Sequence, residues 1–161
     1  MKLRKRREYP AKKFYKACLD CEGFLPPYAI FCPICGRHKP KMGGMTTLRY
    51  PAITLNEYGK AIVCPHCENE ELTPGNFCII CGSDIVNRCS DCPDRNAPSI
   101  TVKGCGETLL GNARYCYKCG NQSSFYKSGW LPDWQSENTR KAIRNASSGT
   151  VVDMTEIRRG R

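Results

Sequence analysis

The sequence predicts a small metal-stabilised fold, built mostly from β hairpins and loops, with three tandem cysteine modules and a short C-terminal helix. Three observations predict it. Cys-x-x-Cys pairs recur along the chain, 13 of the 161 residues are cysteine, and long runs of Leu, Ile and Val are missing. Because small modules without a large aliphatic core need another source of stability, disulfides or metal must supply it.

The N-terminal segment favours metal over disulfides. It reads MKLRKRREYPAKKFYK, a basic run with no apolar stretch behind it, so it does not resemble a secretory signal. No segment approaches the roughly 18 continuous apolar residues of a membrane helix, so no membrane partner is expected. The chain is therefore expected in the reducing cytoplasm, where paired cysteines indicate metal ligands.

Two modules share one cysteine spacing. Each has two Cys-x-x-Cys pairs with ten residues between the inner cysteines, and the eight ligands are Cys18, Cys21, Cys32, Cys35, Cys64, Cys67, Cys78 and Cys81. Zinc prefers thiolates, and a structural zinc ion takes four ligands in a tetrahedron. An aromatic residue precedes each closing pair and a glycine follows it. We expect Phe31, Phe77 and Tyr115 to cover their own sites.

The third module is irregular, and its five candidate ligands are Cys89, Cys92, Cys105, Cys116 and Cys119. In one interpretation Cys89 and Cys92 form the first turn and Cys105 is free. In the other, an insertion of roughly DRNAPSITVKG splits the turn, and Cys89 or Cys92 pairs with Cys105. One of these three cysteines is then not a ligand, and Cys89 is the thiol expected to react first with an alkylating reagent.

These residues resemble the tandem double zinc ribbon family, whose modules run CPxCG, a short hairpin, and then [FY]CxxCG. The resemblance covers Cys18–Gly36, Cys64–Gly82 and Cys89–Gly120, and it implies three zinc ribbons that each bind one zinc ion through four cysteines. Glu22 and Glu68 depart from it, since glycine often follows the first turn. The resemblance implies the fold and the metal but not one function.

The spacing of the modules predicts the organisation of the chain. The expected segments are a basic arm (1–17), ribbon one (18–36), a connector with a hairpin (37–63), ribbon two (64–82), ribbon three with its insertion (83–120), and an aromatic segment, short helix and basic tail (121–161). Seven residues separate Cys81 from Cys89, so ribbons two and three are expected to form a rigid pair that excludes ribbon one.

The C-terminal segment carries an aromatic cluster and a helix signal. The cluster of Phe125, Tyr126, Trp130 and Trp134 is expected to cap ribbon three, with a partner-docking surface as the alternative. The following stretch predicts a helix with Ser136 as its N-cap and Gly149 as its stop.

Charge and ligand saturation define the function classes. The formal charge of +10 falls to about +4 once twelve thiolates and three zinc ions are counted. Four thiolates leave zinc no open position for a substrate, so an enzyme is not expected. We expect an adaptor that presents ribbon surfaces to a protein partner. The alternative is nucleic-acid binding through basic arms, for which the candidate residues are Arg4, Lys5, Arg6, Arg7, Lys12 and Lys13.

Overall fold

Two short antiparallel β pairs and one helical turn are the regular elements of the computed structural model, which describes residues 15–46, 50–71, 74–136 and 139. Strand β1 (Tyr15–Cys18) pairs with β2 (Met42–Thr46), and β3 (Cys92–Pro93) pairs with β4 (Thr101–Val102). Helix α1 spans Ser124–Lys127. Turns and loops make up the rest of the described chain, as the prediction of a small, mostly β and loop structure requires.

The β1–β2 pair joins segments that the sequence assigned to an arm and a connector. Residues 15–17, placed in the basic arm, continue directly into Cys18, and the Lys/Pro/Gly stretch returns alongside them. The amide of Leu19 donates to the carbonyl of Lys41 at 3.0 Å. A Cβ added to Gly43 of β2 would meet the exposed side chain of Leu19. The rest of the arm, 1–14, lies outside the described residues.

The expected hairpin in the connector lies around Asn56. Leu55 pairs with Ala61, and the Asn56 amide donates to the Lys60 carbonyl at 2.7 Å. The Asn56 side chain also accepts from the amides of Tyr58 and Lys60. Gly59 has a φ of +76°, a conformation that suits glycine in a tight turn.

Helix α1 begins at a capped serine. The hydroxyl of Ser123 accepts a hydrogen bond from the Tyr126 amide at 3.2 Å, which satisfies one of the free amides at a helix start. Beyond it, the hydroxyl of Ser136 accepts from the Thr139 amide at 3.1 Å, the bond expected of an N-cap. The body of the predicted helix, 140–149, lies outside the described residues.

The buried residues form three clusters, and each surrounds cysteines of one module. The aromatic cluster is predicted to cap the third module, but it packs mainly on the other two. Tyr126 also contacts Tyr115 of the third module, with ring centroids 5.4 Å apart. Phe125 is fully buried beside Cys64 and Cys78, with Trp130 against the same group, whereas Trp134 packs on the first cluster. The reason is the direction of the chain, which leaves the third module at Ser123 and crosses over the second.

Within the described ranges, no helix has the length and apolar character needed to cross a membrane.

Candidate metal centres

The three closing turns have one hydrogen-bond pattern. In each, the amide of the first cysteine donates to the carbonyl five residues later, and the glycine after the second cysteine donates back to the first cysteine's carbonyl at 2.9 Å. These glycines are Gly36, Gly82 and Gly120, with φ between +72° and +78°. The same local geometry is therefore repeated three times, because each turn ends on a residue that reaches positive φ without strain.

The first turns of modules 1 and 2 repeat this pattern with glutamate in the glycine position. Glu22 and Glu68 donate to the carbonyls of Cys18 and Cys64 and have φ of +58° and +62°. Positive φ costs a non-glycine residue roughly 1–2 kcal/mol. The turn geometry thus persists where the residue type disfavours it, which indicates that the cysteine positions are fixed by the site.

The structure brings twelve of the thirteen cysteines into three groups of four sulfurs. Within each group all sulfurs lie within 4.8 Å of one another, and the groups are Cys18, Cys21, Cys32 and Cys35; Cys64, Cys67, Cys78 and Cys81; and Cys89, Cys105, Cys116 and Cys119. The shortest sulfur–sulfur distances run from 3.3 to 3.9 Å. These distances are too long for disulfide bonds, and none of the thirteen cysteines forms one.

These distances fit zinc. A tetrahedral zinc ion with Zn–S bonds of about 2.3 Å requires sulfurs about 3.8 Å apart. The pairs Cys18–Cys35 at 3.9 Å and Cys21–Cys32 at 3.7 Å meet this requirement, as do both pairs of module 2 at 3.6 Å. Each group of four cysteines is therefore suited to one zinc ion, which gives three sites among the residues that the structure describes.

The third site uses a split first turn. In modules 1 and 2 the amide of the first cysteine donates to the carbonyl two residues beyond the second, Gly23 or Asn69. The Cys89 amide donates to Glu107, which lies two residues beyond Cys105. Gly106 then takes the position of positive φ, at +74°. Cys89 and Cys105 thus form an ordinary turn into which the segment 90–104 is inserted.

Cys92 lies outside the third group. It belongs to β3, opposite Val102 of β4, and is 9% exposed. The sequence-based expectation is that Cys89 is the spare thiol, but the structure places Cys89 in the third group. Its sulfur lies 3.3 Å from the Cys119 sulfur and accepts a hydrogen bond from the Cys105 amide at 3.4 Å. In the sequence, Gly106 after Cys105 favours the split turn over an uninterrupted Cys89–Cys92 turn, but it does not choose between Cys89 and Cys92.

Burial favours the neutral thiol form of several of these cysteines. It raises the pKa of the Cys64, Cys89 and Cys116 thiols, whereas a hydrogen bond from the Ser83 hydroxyl lowers the pKa of Cys81 to about 5. A divalent ion is needed to hold all four sulfurs of a group as thiolates, so zinc binding releases protons. Stability derived from zinc is therefore present at neutral pH and is lost as the pH falls.

Modules 1 and 3 pair with each other through their closing turns. The amides of Ile30 and Phe31 both donate to the Tyr117 carbonyl, at 2.9 and 3.0 Å. In return, the amides of Arg114 and Tyr115 both donate to Pro33, at 2.8 and 3.0 Å. Because corresponding residues exchange the same bonds, the two modules are related by an internal pseudo-twofold axis.

The aromatic residues cross this axis instead of covering their own sites. A Cβ added to Gly36 would lie 3.0 Å from the Tyr115 ring, and one added to Gly120 would lie 2.6 Å from Phe31. The insertion contributes Arg95, which donates to the carbonyls of both glycines at 3.1 and 3.2 Å. The prediction that ribbon one stands apart from a rigid pair of ribbons two and three is therefore replaced by direct pairing of modules 1 and 3.

Gly120→Ala is expected to destabilise the chain more than Gly106→Ala. Both glycines follow the second cysteine of a turn in module 3 and have similar positive φ, so both variants incur roughly 1–2 kcal/mol of backbone strain. Only Gly120 faces a ring, which adds about 1–3 kcal/mol of overpacking, whereas the space around Gly106 is open. Denaturant unfolding at a fixed free zinc concentration measures the difference, and equal losses would contradict the pairing.

Two buried polar side chains join the modules, and no sequence motif predicts either of them. Arg114 is fully buried and donates to carbonyls of Pro132, Asn112 and Pro51, and burial lowers its pKa to about 10. Asn87 donates to Leu110 and Ala113 and accepts from the Phe125 amide. Both residues satisfy carbonyls from segments that are far apart in the chain, so only the fold shows their role.

The described fold and its sites define a small protein organised by three four-cysteine metal centres. Comparison of the chain with protein-family models, curated proteins and solved structures finds no match.

Proposed function

We propose that the chain is a non-enzymatic zinc-ribbon scaffold that docks a protein partner through the closing turn of module 2. In this proposal the three modules are tandem zinc ribbons, as their resemblance implies, and the protein works in a reducing compartment such as the cytoplasm. The single observation that carries it is the exposure of the apolar closing turn of module 2, whereas the closing turns of modules 1 and 3 pair with each other.

The segment is Gly75–Gly82, which we call the module 2 edge. Phe77, Ile79 and Ile80 are 53%, 61% and 67% exposed. The counterparts of Ile79 are Pro33 and Tyr117, the acceptors in the pairing of modules 1 and 3. Contiguous exposed apolar side chains are typical of protein interaction sites, so the module 2 edge is the surface to test.

The donor sets support a structural role for the metal. Each group supplies four thiolates, which complete the coordination of zinc and leave no position for a water nucleophile. Four negative ligands also offset the charge of the ion, which reduces its power to polarise a substrate. Zinc here supplies folding stability, and the surfaces supply binding.

Charge separates the body of the protein from its arms. The described residues carry eleven Lys and Arg side chains and eleven Asp and Glu side chains, so the formal +10 lies on the remaining residues. Twelve zinc-bound thiolates and three divalent ions then give this body a net charge of −6. Such a body repels nucleic acid, which favours protein docking for the modules themselves.

Nucleic-acid binding is the second candidate, and the clustering of basic residues in the N-terminal arm favours it. Residues 1–14 contain seven Lys and Arg against one Glu, and they lie outside the described residues. Because the body is acidic, any phosphate contacts would come from the arms, at candidate residues such as Arg4, Lys5, Arg6 and Arg7.

Replacing Arg4, Lys5, Arg6 and Arg7 with Gln is expected to leave protein docking unchanged. Affinity capture from nuclease-treated extract, at low and high salt, measures how much partner protein each variant retains. The double variant Ile79→Asp/Ile80→Asp is expected to lose the captured protein, whereas the arm variant is expected to keep it. The matched control is Ile100→Asp, since Ile100 is also exposed but lies in the insertion.

The opposite outcome would support the second candidate. If untreated extract yields nucleic acid that leaves steeply with salt, and the arm variant flattens that salt slope by up to about 4 units, the arms bind phosphate. Capture that is insensitive to Ile79→Asp/Ile80→Asp would contradict docking at the module 2 edge.

A further inference from the structure

The closing turn of module 2 has the same local geometry as the closing turns of modules 1 and 3, which pair with each other. All three closing turns place an aromatic residue opposite the residue seven positions later, in the pairs Phe31–His38, Phe77–Asp84 and Tyr115–Gln122. The edge of module 2 therefore has the geometry of the two edges that bind each other within the chain.

Three backbone groups of this edge match the groups through which modules 1 and 3 pair. The amides of Asn76 and Phe77 correspond to the donors Ile30 and Phe31, and the carbonyl of Ile79 corresponds to the acceptor Pro33. None of these three groups has a hydrogen-bond partner among the described residues. Gly82 is open as well, since a Cβ there would meet nothing within 4 Å, whereas Gly36 and Gly120 are each covered by a ring.

We propose that the module 2 edge docks onto the same edge of a second copy of this chain, with the pairing that modules 1 and 3 use internally. The proposal rests on the proposed function and names its partner. In a twofold pair, the amides of Asn76 and Phe77 donate to the other copy's Ile79 carbonyl. Each Phe77 ring packs on the other copy's Gly82, as Phe31 packs on Gly120.

Self-pairing is favoured because the edge complements itself. A twofold interface brings the same patch from both copies together, so each patch must supply both donors and acceptors. The internal pairing already joins two such edges of similar sequence through four hydrogen bonds. The module 2 edge has the same donors and acceptor, with Ile79 in place of Pro33 and an isoleucine, Ile80, at the position of Ile34.

Charge does not oppose a second copy. Apart from the zinc ligands Cys78 and Cys81, the segment Gly75–Gly82 has no charged side chain, so a twofold pair brings no like-charged Lys, Arg, Asp or Glu side chains of this segment together. The Arg88 guanidinium lies 5.6 Å from the centre of the Phe77 ring, as Arg95 lies 5.5 Å from the centre of Tyr115. Arg95 donates to the glycine carbonyls of both modules. A self-pair has two Arg88 guanidinium groups, each of which also donates to Asp84 at 2.6 Å, beside the two Gly82 carbonyls.

Sedimentation equilibrium of the purified zinc-loaded full chain tests the proposal, in high salt to remove nucleic acid. We expect a reversible dimer whose dissociation constant rises about tenfold or more in Gly82→Ala, because the new methyl group meets the other copy's Phe77 ring. Gly106→Ala is the matched control, since it has the same positive φ and open surroundings but lies in module 3, and it should dimerise normally.

Hydrogen exchange of single amides gives the second readout. Protection of the Asn76 and Phe77 amides should rise with protein concentration, while the amides of Ile30 and Tyr115 should be protected at every concentration. A chain that stays monomeric overturns the proposal, and so does a dimer that Gly82→Ala leaves intact. Protection of Asn76 and Phe77 in a monomer would instead show that another segment of the same chain covers the edge.

These outcomes separate the inference from the proposed function. A monomeric protein that still captures a different protein in an Ile79-dependent manner overturns self-pairing and leaves the scaffold function standing. A protein that neither dimerises nor captures a partner through this edge contradicts both.

Discussion

Cys105→Ser is expected to lose the third zinc ion, whereas Cys92→Ser is expected to retain all three. The two cysteines lie in the same module, and the sequence alone treats both as candidate ligands. The structure places the Cys105 sulfur 3.6 Å from Cys116 and leaves Cys92 in the β3–β4 hairpin of the insertion. Only one of the two substitutions therefore removes a ligand.

The expected effect is large because metal binding and folding are coupled. A structural zinc site in a small module contributes about 10–16 kcal/mol of apparent binding free energy, and this energy stabilises the fold. The cluster around the third site has few buried aliphatic side chains, with Leu109 and Ala113 beside the cysteines. Module 3 has little other stability on which to rely once its metal is lost.

Zinc content by native mass spectrometry and thermal unfolding measure the two variants side by side. Cys92→Ser is a stringent control, since it makes the same substitution in the same module at a buried cysteine, whereas Cys105 is exposed. If Cys92→Ser lost the third zinc ion and Cys105→Ser kept it, the first turn would be the uninterrupted Cys89–Cys92 pair. The assignment of the split turn would then be wrong.

Cys18→Ser is expected to unfold module 1 and to expose the closing turn of module 3. Cys18 is fully buried in the first cluster, so the substitution removes both a zinc ligand and part of a core. The amides of Arg114 and Tyr115 then lose their acceptor, the carbonyl of Pro33. Because Arg114 is buried and donates to Pro51, its surroundings are also disturbed.

Hydrogen exchange distinguishes this outcome from damage confined to module 1. Protection at Arg114 and Tyr115 should fall toward that of exposed amides in Cys18→Ser. Cys64→Ser is the matched variant, since it removes a zinc site from module 2 without touching the acceptor of these amides. Full protection of Arg114 and Tyr115 in Cys18→Ser would show that modules 1 and 3 do not depend on each other.

The sequence predicted the local turns well because their determinants are local. A cysteine pair two residues apart, followed by a residue that reaches positive φ, specifies its own turn, and the constant distance between turns brings four sulfurs together. The same logic marked Cys105 as a candidate despite the insertion. The choice between Cys89 and Cys92 required the fold, because neither lies three residues before Cys105, where modules 1 and 2 place the first cysteine of the turn.

The arrangement of the modules was not predictable in this way. Connector length suggests that module 1 stands apart, but Phe31 contacts Gly120, 89 residues along the chain, and Tyr115 contacts Gly36, 79 residues away. Similarly, composition indicated an aromatic cap on module 3, whereas Phe125 and Trp130 pack on module 2. Short-range patterns carry no information about which apolar faces meet.

Native mass spectrometry of the full chain, prepared without oxygen, tests the central claim most directly. The structure predicts three zinc ions bound to thirteen reduced cysteines, twelve as ligands and Cys92 as a free thiol. Acidification should release the zinc as protons displace it from the thiolates. A protein that binds fewer than three zinc ions, or one whose cysteines form disulfides while it remains folded, would contradict the claim that three four-cysteine zinc sites organise this fold.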